Sequence, residues 1–206
     1  MFPFPFSFVA PTASGLADVD NEYSMEFNGV DDYFSAPISA LNSAYTFSFS
    51  LWAKKASASD VGAMMGHRIS TYQGVWINWY SDGTVYFCVR RGANECLTYA
   101  LSFDSNWHHF AATFDNNAGK LYIDGALVGS LTFTTTYAPA TTGDDFRIGA
   151  IDSSIFGKGN IDEVGVFDYT LDADQIEEIY NATSTGKTAD LSKMATPPVA
   201  WYRMGD

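Results

Sequence analysis

Trp76, Asn78 and Tyr80 occupy every second position of a run whose intervening residues, Val75, Ile77 and Trp79, are all apolar. In a strand the two sets face opposite ways, so if Val75, Ile77 and Trp79 meet the core, the other three face outward. Two rings and an amide on one outward face are suited to stacking on sugar rings and hydrogen-bonding their hydroxyls. The bland alternative is that both faces are covered, because strand aromatics are usually core. A second candidate is Asp162, which shares parity with Val164 and Val166 and is therefore expected to lean inward. An inward carboxylate is costly unless it is protonated, hydrogen-bonded or bound to a cation.

Other reactive residues offer less. His108 and His109 are adjacent on a predicted strand, point to opposite faces and cannot jointly hold one metal from a regular strand. One is expected to pack inside and the other to be partly exposed, while His67 is isolated. No Gly-x-Ser-x-Gly nucleophile elbow occurs. Cys88 and Cys96 flank a predicted hairpin tip, Arg90 to Asn94, where they can face each other and oxidise or remain two small reduced hydrophobes.

The elements that must position these groups are strands. Tyr45, Phe47, Phe49 and Leu51 alternate with Thr46, Ser48 and Ser50. Asn28-Gly29, Asp82-Gly83 and Asp124-Gly125 can supply the positive φ of tight turns. One helix is expected after Asp172, which with Gln175 forms a capping box; Ile176, Ile179 and Tyr180 share its apolar face.

Composition narrows the classes. Of 206 residues, 47% are hydrophobic and 16% aromatic, which suits a folded β protein. The net charge of −13, with no basic run longer than Lys54-Lys55 or Arg90-Arg91, argues against nucleic acid and anionic membrane partners. Eighteen Asp against six Glu suit turns, and Asp is also a hard oxygen donor for calcium. Met1 to Val9 is apolar but lacks a basic residue and carries Pro3 and Pro5, so an extended arm is expected rather than an export signal.

Several segments, in order, resemble the laminin-G-like branch of the concanavalin A-like lectin/glucanase superfamily. Phe27-Asn28-Gly29-Val30-Asp31-Asp32-Tyr33 is similar to its first-strand signature, Thr46 to Trp52 to the next inner strand, and Trp107 to Asp115 to its central strand. Leu121 to Gly125, Phe146 to Gly149 and Gly159 to Val164 follow, leading into Leu171 and the capped helix. One extra residue near Phe156-Gly157-Lys158-Gly159 and Tyr169 in a commonly basic place are departures. The resemblance implies an all-β, two-sheet antiparallel jelly-roll sandwich with one short C-terminal helix. It also implies neighbouring first and last strands, which would bring Asn28, Asp31, Asp32 and the Gly29 carbonyl near Asp162. A structural Ca²⁺ held by these oxygens is the resulting expectation. The glucanase branch uses a Glu-x-Asp-x-x-Glu-like pair of carboxylates, and no Glu here has Asp two positions on, so catalysis is not expected.

The organisation expected is an extended arm over 1–20, a sandwich over 21–182, and over 183–206 a linker with a docking tail or the start of a further module. Residues 1–20 and 199–206 are expected to bind other subunits of an oligomeric assembly. The functional expectation is a non-catalytic structural, decoration or adhesion module of an extracellular assembly such as a phage virion, able to touch surface glycans. The alternative is a secreted carbohydrate-binding module of a longer adhesin or glycoside hydrolase.

Overall fold

The computed structural model describes residues 15–41, 44–70, 73–91, 93–102, 104–134 and 146–205. In chain order the strands are β1 (Asp18–Asp20), β2 (Met25–Asn28), β3 (Phe34–Ala36), β4 (Thr46–Lys54), β5 (Gly62–Ser70), β6 (Gln73–Trp79), β7 (Thr84–Arg91) and β8 (Ala93–Ala100). They continue as β9 (His108–Asp115), β10 (Ala118–Ile123), β11 (Ala126–Thr132), β12 (Phe146–Ile148) and β13 (Lys158–Phe167). Helix α1 (Ala173–Asn181) precedes β14 (Lys187–Ala189) and β15 (Ala200–Tyr202).

Two antiparallel sheets dominate. One runs β11-β10-β9-β4-β13, with β2 and β15 end to end along the far edge of β13; the other runs β3-β12-β5-β6-β7-β8. The short opening strand β2 and the last long strand β13 are therefore neighbours, as the resemblance implied: Phe27 pairs with Gly159 and Met25 with Ile161. Alternation decides which side chains fill the space between the sheets. Phe47, Phe49, Leu51, Phe110 and Phe114 from one sheet meet Val75, Ile77, Trp79, Val85 and Phe87 from the other. Phe47 stacks on Phe114 at 5.1 Å, and burying each such ring contributes about 2–3 kcal/mol.

The second layer of burial lies outside the seven-stranded sheet. Asp172 accepts from the Gln175 amide at 2.8 Å while Gln175 Oε1 accepts from the Asp172 amide at 3.0 Å, completing the capping box. Ile176 and Ile179 of the helix then cover Ala111, Tyr122 and Phe167. His109 belongs to this covered face, with Nε2 2.8 Å from Ser50 Oγ. Complete burial lowers its pKa to about 4, so it is neutral at physiological pH.

Asp124-Gly125 turns β10 into β11 with φ of 51° and 76°, the double positive φ of a two-residue hairpin. The Asp124 carboxylate also anchors β9: Oδ1 accepts from the His109 amide at 2.9 Å, and Oδ2 lies 2.6 Å from His108 Nδ1. His108 Nε2 reaches Asp104 at 3.1 Å. The Asp124 hydrogen bond, aided by Asp104 and opposed by partial burial, raises the His108 pKa. A raised folded pKa contributes stability that is complete below the unfolded value near 6.5 and lost as pH rises through the folded value. Denaturant titrations between pH 6 and 9 are expected to show stability falling with pH, and His108→Gln is expected to flatten that slope; an unchanged slope would refute the clamp.

The terminal segments differ from expectation. The described part of the predicted linker and tail, residues 183–205, is not a free extension. β14 pairs with β1, Ala189 and Leu191 pack under α1, and β15 pairs with Val164 to Val166 of β13. The edge of β13 beyond β2 offers unpaired backbone groups, and the chain's own C-terminal strand fills them. Residues 199–202 are thus engaged along β13 within the sandwich. Of the predicted N-terminal arm, residues 18–20 form β1, and 1–14 lie outside the described residues. Asn28-Gly29 likewise makes no hairpin, because β2 and β3 belong to different sheets.

Candidate functional site

Trp76, Asn78 and Tyr80 come together on the outer face of the six-stranded sheet. With Arg90 and Asn94 of the β7–β8 hairpin and Ile151 and Ile155 of a crossing loop, they line a cleft of about 120 Å³. The three positions are not equivalent. Tyr80 is 48% exposed and leans on Tyr86, ring centres 4.8 Å apart. Asn78 is only 5% exposed, and its Oδ1 has no hydrogen-bond partner among the described residues. A buried amide oxygen without a donor is costly, so a hydroxyl donor arriving in the cleft would relieve it. Trp76, expected to be open for stacking, is 7% exposed and packs with Ala63, Cys88 and Ile151. It serves as wall, not platform.

The loop that covers Trp76 explains this difference. Gly149 to Gly157 folds over β5, closed by the Ala150–Phe156 bridge and by the Gly157 amide donating to Gly149 O at 2.7 Å. Beside the cleft Cys88 and Cys96 stand directly opposite each other and are joined in a disulfide, which resolves the alternative left open by their spacing. Closing this short loop contributes roughly 2–3 kcal/mol by the chain-entropy estimate. Reduction is expected to lower the melting temperature without unfolding the domain at 25 °C; no shift on reduction would show that the bond contributes nothing.

The expected calcium residues are not assembled in one place. Asn28, Asp31 and Asp32 close a turn on themselves: Asn28 Oδ1 accepts from the amides of Val30, Asp31 and Asp32, and Asn28 Nδ2 donates to Asp31. Gly29, at φ 76°, sits against Lys158. Asn28 pairs with Lys158, four residues before Asp162 on the same strand, a separation of about 13 Å. Nor does Asp162 lean inward with Val164 and Val166. The β4–β13 register slips between Asp162 and Gly165, with Glu163 at φ 52°, and this bulge puts Asp162 on the opposite face from Val164. Asp162 Oδ1 accepts from the Glu163 amide and Oδ2 from Asn21 Nδ2. Among the described residues no group of three or more His, Cys, Asp or Glu is placed to hold a metal ion.

The sequence model of the concanavalin A-like lectin/glucanases superfamily, in its laminin-G form, matches residues 28–177. This protein belongs to that superfamily. No curated protein sequence matches the chain. Solved structures share the superfamily fold at low identity. Domain 4 of AbnA, a GH43 extracellular arabinanase from Geobacillus stearothermophilus solved with arabinotriose, is 21% identical with a TM-score of 0.63, over 79% of this chain and 80% of that one. A carbohydrate-binding protein of Bacteroides ovatus, so described provisionally, is 15% identical with a TM-score of 0.64, over 93% of this chain and 53% of its own. Domains LG4-5 of the mouse laminin α1 chain are 18% identical with a TM-score of 0.58, over 75% and 44%. The chain thus spans about half the length of the latter two.

In this superfamily member, parity alone could have found Arg90. It lies on the Tyr86-Cys88 face of β7, and Cys88 pairs with Trp76. Ile151 and Ile155 carried no comparable signal, because their loop has no period and its path depends on Gly66 of β5. A side chain at Gly66 would stand 2.9 Å from the Ile151 Cα. His108 is an unsuitable general base, since both ring nitrogens face carboxylates.

Proposed function

We propose that this superfamily member is a non-catalytic carbohydrate-binding module whose saccharide site is the cleft of Trp76, Asn78 and Tyr80. The observation that carries the reading is the buried, unpartnered Asn78 Oδ1 in the cleft that the exposed Tyr80 also lines. The amide accepts a sugar hydroxyl, the phenol ring packs on the sugar's apolar face, and Arg90 and Asn94 supply further donors. The cleft is smaller than the ~300–1,000 Å³ of most ligand sites, so it suits one terminal sugar unit. A domain of this fold solved with arabinotriose, and a protein of this fold provisionally described as carbohydrate-binding, support the class of ligand. The missing Glu-x-Asp-x-x-Glu pattern supports the absence of glycosidase chemistry.

A glycan array followed by calorimetry with arabino-, xylo- and gluco-oligosaccharides tests this. Tyr80→Ala is expected to weaken binding about tenfold, as loss of a ring contact does, with little change in melting temperature. Equal affinity in Tyr80→Ala and the parent protein would reject the cleft as the site.

Display on a larger extracellular assembly, a virion among them, is a second reading. The large apolar side chains Tyr23, Met25, Tyr33 and Phe34, each 39% to 62% exposed in and around β2 and β3, support it. Among the described residues no helix is long and apolar enough to cross a membrane.

A further inference from the structure

The seven-stranded sheet carries a larger concavity on its helix-covered side. Trp52, Trp107, Tyr23, Asn21 and Asp162, with the turn at residues 183–188, line an open groove of about 340 Å³. Its floor is held in place before any ligand arrives. Trp52 stacks on Tyr180 of α1 at 5.8 Å and 18°, and tilts against His109 at 5.4 Å. Trp107 carries the Lys54 ammonium 5.4 Å from its ring centre. Asp162, 5% exposed, is oriented by the Glu163 amide at 2.7 Å and Asn21 Nδ2 at 3.0 Å.

We propose that this groove is a second saccharide site, taking an internal stretch of a neutral polysaccharide. The proposal rests on the carbohydrate-binding reading but not on the Tyr80 cleft. Two indoles along one groove offer faces for the apolar sides of successive sugar rings. Carboxylate oxygens can accept more than one hydrogen bond each, so Asp162 in the lining suits a partner rich in hydroxyl donors. Asp162 and Glu22 outnumber Lys187 in the lining, and with the chain's net charge of −13 this disfavours an anionic ligand. The volume falls within the range of ligand-binding clefts. The backbone agrees. Glu163 holds a positive φ that costs a non-glycine residue energy, and the resulting bulge brings Asp162 into the groove lining instead of the core. Bulges recur beside functional sites, where they redirect a side chain. With the smaller cleft on the other sheet, the module would grip two chain segments at once.

Calorimetry and tryptophan fluorescence with the same arabino-, xylo- and gluco-oligosaccharides test the groove. Two sugar equivalents per chain are expected, with quenched emission. Trp107→Ala should remove one equivalent, weaken that site at least about tenfold and abolish quenching. Thr185→Trp, placed on the exposed turn to obstruct the groove without disturbing the sheet, should do the same if Trp107→Ala proves unstable. Tyr80→Ala should leave the groove's equivalent intact. A single equivalent lost in Tyr80→Ala and kept in both groove variants would overturn the second site while leaving the function standing. A single equivalent lost only in the groove variants would uphold the groove and reject the cleft. No binding by any oligosaccharide would overturn both.

Discussion

Glu163→Ala is expected to destabilise the protein by about 3–5 kcal/mol, the range for breaking a buried, hydrogen-bonded charge pair. Glu163 is 3% exposed. Its carboxylate accepts from Trp201 Nε1 at 2.6 Å, from Arg203 Nε at 3.3 Å and from Asn21 Nδ2 at 3.2 Å. Arg203 also donates to the Asp20 carbonyl. One side chain therefore ties both terminal segments to the middle of β13. Removing it leaves an indole donor and a guanidinium facing an empty space, and β15 has only three paired residues of its own. Urea denaturation measures the loss, and hydrogen exchange should show the amides of β15 opening first. A loss below about 1 kcal/mol, the level of an exposed pair, would refute this role. Burial raises the Glu163 pKa against the lowering effects of its donors. The native state therefore holds this proton more tightly than the unfolded chain does. The contribution is complete below the ordinary glutamate value and lost as pH rises through the folded one, a component that Glu163→Gln should remove.

Gly157→Ala is expected to cost about 3 kcal/mol, at the upper end of overpacking penalties. A Cβ at Gly157 would lie 2.0 Å from the Ala63 carbonyl oxygen, a backbone atom of β5 that cannot rotate away. The opposing Gly62 is equally confined, its own Cβ falling 2.2 Å from the Phe156 oxygen. The two glycines let the loop from Gly149 cross β5 and present Ile151 and Ile155 to the cleft. The substitution should thus lower thermal stability and weaken sugar binding together. Ile155→Ala, at a side chain 40% exposed, should weaken binding alone. Wild-type stability in Gly157→Ala would show that the crossing can relax.

The position of Glu163 shows where sequence reasoning ends. Its role depends on Trp201 and Arg203, 38 and 40 residues away, and nothing in the local pattern around Ile161-Asp162-Glu163 announces them. A bulge at a glycine has a sequence signature; at a glutamate it has none, so strand parity by itself puts Asp162 on the face opposite to the observed one. The calcium expectation relied on that face and on Asn28, Asp31 and Asp32 lying near Asp162, whereas Asn28 pairs with Lys158.

What the sequence alone determined is what repeats locally. Alternation placed Val75, Ile77 and Trp79 inside and grouped Trp76, Asn78 and Tyr80 on the other face. Asp172 and Gln175 marked the helix start, and Asp82-Gly83 and Asp124-Gly125 marked true hairpins, because each depends on neighbours within a few residues. The tertiary structure alone decided the burial of Trp76, the sealing of β13 by the three-residue β15, and the Trp52–Trp107 groove. A strand of three residues is too short to show a period. A loop's path, a bulge and an edge pairing are each settled by the free energy of contacts with a distant partner, which no local pattern contains.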